Sequence, residues 1–143
     1  MTFLLLFACG FEPLSGTYLT SLSNPVDTCG AEDSVLEGTT QEDQELAITV
    51  NETTIDFGGL YTLERDGKTA SYEDVFEEET EPGIYTIQQL YTIDLTWIKA
   101  DQVEGKTGFE YTCSGDGCDD IAAETGVSLP CEAKYDVAME LID

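Results

Sequence analysis

A long segment of alternating residues limits the possible folds of this chain more than any other feature of its sequence. Every second residue from Tyr85 to Trp97 falls on one face, which carries Tyr85, Ile87, Gln89, Tyr91, Ile93, Leu95 and Trp97. The opposite face is mostly polar. Successive side chains of a β-strand point to opposite faces of its sheet, so this period of two predicts a strand with one buried face. Ordinary strands have about 5–6 residues, so such a long one favours a bent strand in a barrel.

The rest of the chain continues this pattern. Further strands are predicted over residues 14–22, 46–50, 55–57, 60–65, 68–76, 109–113 and 133–141. Gly58-Gly59 and Asp66-Gly67 are hairpin signals between consecutive strands. One short helix is predicted over residues 119–124, with Asp119 or Asp120 as its cap and Gly126 as its stop.

Eight consecutive strands with mostly short connections predict an all-β fold, an eight-stranded antiparallel meander that closes into a barrel and has one short helix before its last strand. Closure removes the two exposed edges of an open sheet. A two-sheet β-sandwich is the alternative. Counting strands alternately up and down places the short turns 51–52, 66–67 and 101–105 at the end near the N-terminus. The longer connections 23–43, 77–83 and 114–130 then lie at the opposite end.

The charge of the chain excludes several kinds of partner. Its 143 residues include 30 acidic and 5 basic ones, for a net charge of −25, and no histidine. Binding to nucleic acid requires clustered Lys and Arg, so we expect no nucleic-acid partner. The lack of histidine excludes the usual Ser-His and Cys-His nucleophiles. With 30 carboxylates, no single pair stands out as a glycosidase-like site. We therefore expect no catalytic residues and no enzymatic activity.

The N-terminal segment Leu6-Phe7-Ala8-Cys9 resembles the lipobox of bacterial lipoproteins. This resemblance implies that residues 1–8 are the remnant of a signal peptide and that Cys9 receives acyl chains such as palmitate. The short apolar run, with no basic residue before it, leads us to expect a start upstream of Met1. Gly10 after the cysteine is similar to lipoproteins sorted to the outer membrane. The expected location is therefore the outer membrane or its periplasmic face, with the lipid as the membrane contact.

Gly16-Thr17-Tyr18, the meander and the export signal together resemble lipocalin-like lipoproteins, with Tyr18 where lipocalins have Trp. On this reading, residues 9–13 are the lipid anchor and linker, and residues 14–143 form one barrel domain. Four cysteines remain besides Cys9, namely Cys29, Cys113, Cys118 and Cys131. An even set in an exported protein predicts two disulfides. Adjacent first and last strands favour Cys29–Cys131 with Cys113–Cys118, although four cysteines allow three pairings.

Two groups of side chains are candidate binding sites. Asp116, Asp119 and Asp120 supply the oxygen ligands that Ca²⁺ prefers, but they do not match an EF-hand loop, so a disulfide-closed loop with a helix cap is favoured and no metal is expected. We likewise expect no cofactor. The interior aromatic set comprises Tyr85, Tyr91, Trp97, Phe109, Tyr111 and Tyr135. Such a set usually fills a core, because eight strands enclose little more than their own side chains.

The sequence therefore predicts a non-enzymatic, lipid-anchored envelope protein with a structural or interaction role, whose partner would be another envelope protein. The alternative is a lipocalin-like carrier of a small apolar ligand. In that case Tyr85, Tyr91, Trp97, Tyr111 and Tyr135 would line the ligand site.

Overall fold

A computed structural model describes residues 10–29, 43–80 and 84–143 of the chain. Cys9 and the predicted signal segment 1–8 lie outside the described residues. The elements in chain order are β1 (Gly16–Asp27), β2 (Gln44–Val50), β3 (Thr54–Phe57), β4 (Tyr61–Asp66), β5 (Thr69–Thr80), β6 (Tyr85–Lys99), β7 (Gln102–Ser114), α1 (Cys118–Thr125) and β8 (Cys131–Leu141).

The eight strands form a closed barrel in which each strand pairs with its neighbours in sequence. All the pairings are antiparallel, and β1 closes the barrel against β8, for example where Tyr18 lies opposite Leu141. This confirms the predicted eight-stranded meander barrel and excludes the sandwich. The single short helix also lies before the last strand, as predicted.

The core lies at one end of the barrel. Alternate residues of each strand point inward, and the largest fully buried side chains are Trp97, Tyr18, Ile55, Leu63 and Val103. They pack into one apolar cluster with Ile48, Phe57, Leu95, Val137 and Met139. We call this the closed end, and define it by the tight turns at residues 51–53, 67–68 and 100–101.

The N-terminal segment before β1 lies against the closed end. Phe11 packs against the core cluster, and the Lys68 ammonium lies 3.9 Å from the centre of its ring. The Leu14 amide donates to the Ala100 carbonyl at 3.0 Å, and the Tyr18 hydroxyl donates to the Leu14 carbonyl at 2.6 Å. The described chain therefore starts at this end, as the strand count predicted.

The predicted disulfide pairing is present. Cys29 bonds to Cys131 across a sequence separation of 102, and Cys113 bonds to Cys118 across a separation of 5. The first bond joins the upper ends of β1 and β8, where the Thr28 amide donates to the Glu132 carbonyl. All four cysteines lie at the end opposite the closed end, which we call the disulfide end.

Four local predictions were wrong. Residues 23–27, predicted to belong to the connection 23–43, are part of β1 and pair with β8. Glu77, Glu78 and Glu79, predicted to lie in the connection 77–83, belong to β5, because they pair along β6 with Gln88, Ile87 and Thr86. A turn was predicted over residues 101–105, but the observed turn comprises only Ala100 and Asp101, and β7 begins at Gln102. Gly105 suggested a turn, but it lies within β7, where a Cβ would collide with the Asp94 backbone. The helix begins at Cys118, so Asp119 and Asp120 occupy its first turn rather than its cap.

The aromatic wall, a candidate binding site

Strand lengths differ greatly around the barrel. β2, β3 and β4 have 7, 4 and 6 residues, whereas β5, β6 and β7 have 12, 15 and 13. All of them start or finish near the closed end, where the short strands meet the core. The long strands therefore rise beyond the short ones, and their inner faces form a wall at the disulfide end.

Five aromatic rings cover the inner face of this wall across four neighbouring strands. We define the aromatic wall as Tyr61 on β4, Tyr72 on β5, Tyr91 on β6, and Phe109 and Tyr111 on β7. Neighbouring ring centres lie 4.8 Å apart for Tyr91 and Phe109 and 5.2 Å apart for Tyr61 and Tyr72. The ring centre of Tyr91 lies 5.7 Å from that of Tyr61 and 6.1 Å from that of Tyr72, and the ring centres of Phe109 and Tyr111 lie 6.3 Å apart.

The register of the sheet creates this continuity. Tyr91 lies directly opposite Phe109, so their rings stack. Tyr72 lies opposite Ile93, which is the next inward-facing residue of β6 after Tyr91. Aromatic pairs at such distances contribute about 0.5–1.5 kcal/mol beyond the area they bury. The wall is therefore a preformed surface of rings that hold one another in place.

The rings of the wall are only partly buried, in contrast to the core. Tyr61 is 37% exposed, whereas Trp97 is 2% exposed. Tyr72, Tyr91, Phe109 and Tyr111 have intermediate exposure. Apolar surface that remains accessible on a concave, preformed face is the usual setting of a small-molecule site.

The hydroxyl groups of Tyr72, Tyr91 and Tyr111 remain protonated at neutral pH, because the pKa of each is raised. Burial is the main cause that raises the pKa of Tyr91. The hydrogen bond from the Thr107 hydroxyl, 3.3 Å away, lowers this pKa, and the nearby Tyr61 hydroxyl raises it. Burial also raises the pKa of Tyr72, with a further contribution from the Asp74 carboxylate. Burial alone raises the pKa of Tyr111. The wall therefore offers neutral hydrogen-bonding groups among apolar ring faces.

The structure divides the predicted ligand-binding residues among different regions. Tyr91 and Tyr111 belong to the aromatic wall, and Tyr135 faces inward on β8 with 7% of its surface exposed. Tyr85 begins β6 at the disulfide end and is partly buried. Trp97 lies in the core of the closed end, where its indole N–H is 3.4 Å from the Tyr18 hydroxyl. Trp97 is thus a structural residue of the core.

Sequence reasoning missed Tyr61 and Tyr72. Tyr72 follows the buried Ala70 by two residues, which is the signal that could have placed it on the inner face. Tyr61 comes two residues after Gly59, and only the pairing of β4 with β5 shows that its ring meets Tyr72. Phe109 was predicted to be interior but not part of the binding set.

The structure does not gather the calcium candidates into a site. Asp116 precedes α1, whereas Asp119 and Asp120 lie in its first turn, where carboxylates stabilise a helix N-terminus. Among residues 10–29, 43–80 and 84–143, no three His, Cys, Asp or Glu side chains are grouped to hold a metal ion.

In the same ranges, no helix is both long and apolar enough to cross a membrane.

Grooves on the outer wall are less distinctive. The largest of those described has a volume of about 580 Å³ and is lined by outward-facing residues of β1, β6, β7 and β8, including Ile98, Lys106 and Asp136. Lys106 and Asp136 lie 3.9 Å apart and are both solvent-accessible. Such an exposed pair contributes little, so these grooves carry no specific chemistry.

No family model, curated protein or solved structure matches this chain.

Proposed function

We propose that the protein is an exported, lipid-anchored binding protein without enzymatic activity, and that its aromatic wall holds the apolar or aromatic part of a small ligand. The observation that carries this proposal is the contiguity of five partly buried rings on one inner face. A purely structural barrel would have no need to leave such a surface accessible at one end while packing the other end tightly.

The position of the N-terminus supports the orientation of this binding protein. Residues 10–15 lie against the closed end, so an acyl chain on Cys9 would attach that end to a bilayer. The aromatic wall would then face away from the membrane. This arrangement fits a location at the outer membrane or its periplasmic face, and the two disulfides fit an oxidising compartment.

The ligand site can be tested with a neutral fluorescent probe, N-phenyl-1-naphthylamine, whose lack of charge avoids repulsion by the acidic chain. The wild-type protein should bind the dye and increase its fluorescence. Tyr91→Ala combined with Phe109→Ala should weaken binding at least about tenfold, which corresponds to about 1.4 kcal/mol. Ile98→Ala is the matched control, because Ile98 is an exposed apolar residue of β6 that lies on the outer face.

The control variant should bind the dye as tightly as wild type, and thermal melts should show that all variants are folded. Absence of dye binding by the wild type, or equal affinity in the folded double variant, would refute the aromatic wall as a ligand site.

The lipid anchor has an independent test. Protein expressed in a bacterium, with the DNA upstream of Met1 included, should partition into detergent and carry acyl mass on its N-terminal peptide. A Cys9→Ala variant should lose both properties. Wild-type protein that remains aqueous and unmodified would contradict the anchor, with no consequence for the ligand site.

A further inference from the structure

Among residues 10–29, 43–80 and 84–143, the upper part of β5 has no pairing partner on one of its two edges. β4 pairs with β5 only at Asp66, Arg65 and Glu64, which lie opposite Thr69, Ala70 and Ser71. On its other side, β5 pairs with β6 along its whole length, to Thr80 opposite Tyr85. In the part of the chain that the structure describes, no strand pairs with this side of β5 beyond Ser71. We call residues 72–80 the free β5 edge.

The hydrogen-bond pattern identifies the residues that present the free backbone groups. The Trp97 amide donates to the Lys68 carbonyl, so Lys68 and Trp97 form a hydrogen-bonded pair. Such pairs alternate along antiparallel strands, and the register from Thr69 to Thr80 contains no shift. Even-numbered residues of β5 therefore bond to β6. Glu73, Val75, Glu77 and Glu79 direct their N–H and C=O groups to the free side.

Side chains along this edge point alternately inward and outward. Ala70 and Tyr72 point inward to the core and the aromatic wall, so the odd-numbered residues face outward. The outward row is Glu73, Val75, Glu77 and Glu79. On the inward side, Phe76 continues the row of Tyr72 and is 62% exposed, and the carboxylates of Asp74 and Glu78 belong to the same row.

Proteins usually block such an edge with charged side chains, above all Lys, with inward-pointing charges, or with Pro, a bulge or a covering element. Residues 72–80 contain no Lys or Pro, and their pairing with β6 is regular. Their charges are all negative, so they repel an acidic or neutral-to-acidic strand and attract a basic one. An edge of this kind is a template for strand addition, in which backbone hydrogen bonds supply affinity and alternate side chains supply specificity.

We propose that the free β5 edge is a docking site for an extended basic segment of a partner protein, which adds to the barrel as a further strand. Lys or Arg side chains of the segment would lie over Glu73, Glu77 and Glu79, and its alternate apolar side chains would lie over Tyr72 and Phe76. A second copy of this chain fits poorly, because each copy carries a charge of −25. This docking site goes beyond the ligand-binding function and depends on a different observation.

The test uses a synthetic peptide of about seven residues in which Lys alternates with Val, and a control peptide in which Glu replaces Lys. The basic peptide should bind, more weakly as salt increases, and the acidic peptide should not. Amide hydrogen exchange measured by NMR should slow at Glu73, Val75, Glu77 and Glu79 when the basic peptide is bound. The amides of neighbouring even-numbered residues should change little, because they already bond to β6.

Two sets of variants separate edge docking from general attraction to an acidic protein. The triple variant Glu73→Lys, Glu77→Lys, Glu79→Lys should weaken peptide binding at least about tenfold. The control triple Asp94→Lys, Glu104→Lys, Glu140→Lys makes the same change in net charge at exposed outer positions of β6, β7 and β8. It should retain most of the affinity.

Val75→Pro removes an edge N–H that the barrel does not use, and a proline with its nitrogen toward solvent is tolerated on an edge strand. This variant should no longer bind the basic peptide but should still bind the neutral dye. Equal loss of affinity in the two Lys triples, or unchanged exchange at the four odd-numbered amides, would overturn the docking proposal. Dye binding is measured separately, so failure of either proposal can be recognised without the other.

Discussion

The two ends of this barrel are built in different ways. At the closed end, short strands meet tight turns, and Trp97, Tyr18 and Ile55 are almost completely buried. At the disulfide end, the rings of the aromatic wall remain partly exposed, and β5 has no partner on one edge among the residues that the structure describes. The closed end has the packing of a protein interior, which is where large stabilisation comes from. The disulfide end has the accessible surface that binding requires.

The means of holding each end together also differ. Burial and an internal hydrogen-bond network hold the closed end, where Arg65 contacts both turn carbonyls and the N-terminal segment. Two covalent bonds hold the disulfide end. Where a surface is left open for binding, the stabilisation lost through weaker burial can be offset by cross-links that restrict the unfolded chain. Four experiments test this difference between the two ends.

The largest expected effect is at the closed end. Trp97→Ala should lower the free energy of unfolding by about 3–5 kcal/mol, because it removes a large, fully buried side chain and leaves a cavity. Tyr91→Ala should cost less than half as much, since its ring is partly exposed. Urea unfolding of the two variants measures both values. A loss for Tyr91→Ala as large as that for Trp97→Ala would mean that the aromatic wall is ordinary core.

The two disulfides should contribute unequally. Loop-closure entropy predicts about 4.7 kcal/mol for the Cys29–Cys131 bond, which closes a separation of 102, and about 2 kcal/mol for Cys113–Cys118, which closes a separation of 5. Replacing each pair with serines and measuring urea unfolding tests the ranking. A greater loss from the Cys113 and Cys118 pair would show that local geometry outweighs chain entropy here.

Removing the Arg65 side chain should lower the free energy of unfolding more than removing its ion pair with Glu12. Its guanidinium donates to the Asn51 carbonyl at 2.7 Å and the Gly67 carbonyl at 2.8 Å. It also contacts the Glu12 carboxylate at 2.7 Å, although the Glu12 side chain is 84% exposed. Arg65→Ala should cost about 2–3 kcal/mol, because two turn carbonyls lose a charged donor. Glu12→Gln should cost less than about 1 kcal/mol. Comparable losses in thermal or urea unfolding would assign the stabilisation to the ion pair instead.

The smallest expected effect concerns alkaline pH. Burial raises the pKa of Tyr91 above its ordinary value of about 10, so the folded protein keeps a proton that the unfolded chain releases. This stabilisation is fully present below pH of about 10 and is lost as pH rises through the raised pKa. Tyr91→Phe should therefore reduce the decline of stability in that range. Unfolding measured across alkaline pH, with tyrosinate absorbance as a direct titration, checks this. An unchanged decline would show that Tyr91 is not desolvated in the wall.

Particular elements show how far the sequence specifies the fold. The alternation from Tyr85 to Trp97 predicted the longest strand, because one buried and one solvated face require a period of two. The barrel followed from the number of such segments and the shortness of their turns. The Cys29–Cys131 bond was favoured because a closed meander makes β1 and β8 neighbours, and the structure confirms this bond.

The candidate site was predicted only in part. Tyr91 and Tyr111 were placed in the interior aromatic set, but Trp97 was assigned to the same site although it lies in the opposite half of the barrel. Alternation gives the face of a residue, not its height along the barrel, so it could not separate core rings from wall rings. Tyr61 and Tyr72 were missed for the same reason, since their contact depends on the pairing of β4 with β5.

Local periodicity and composition were enough to predict the inward face of the segment from Tyr85 to Trp97 and the hairpin turns near Gly58-Gly59 and Asp66-Gly67. They were also enough to predict an acidic, all-β domain with two disulfides. The tertiary structure decided the strand ends and the register. The glutamates at 77–79 became strand residues because β6 supplied hydrogen-bond partners for them, and the same pairing left their other edge free. Local patterns could not predict these features, because neither the aromatic wall nor the free β5 edge exists until strands distant in sequence pair with one another.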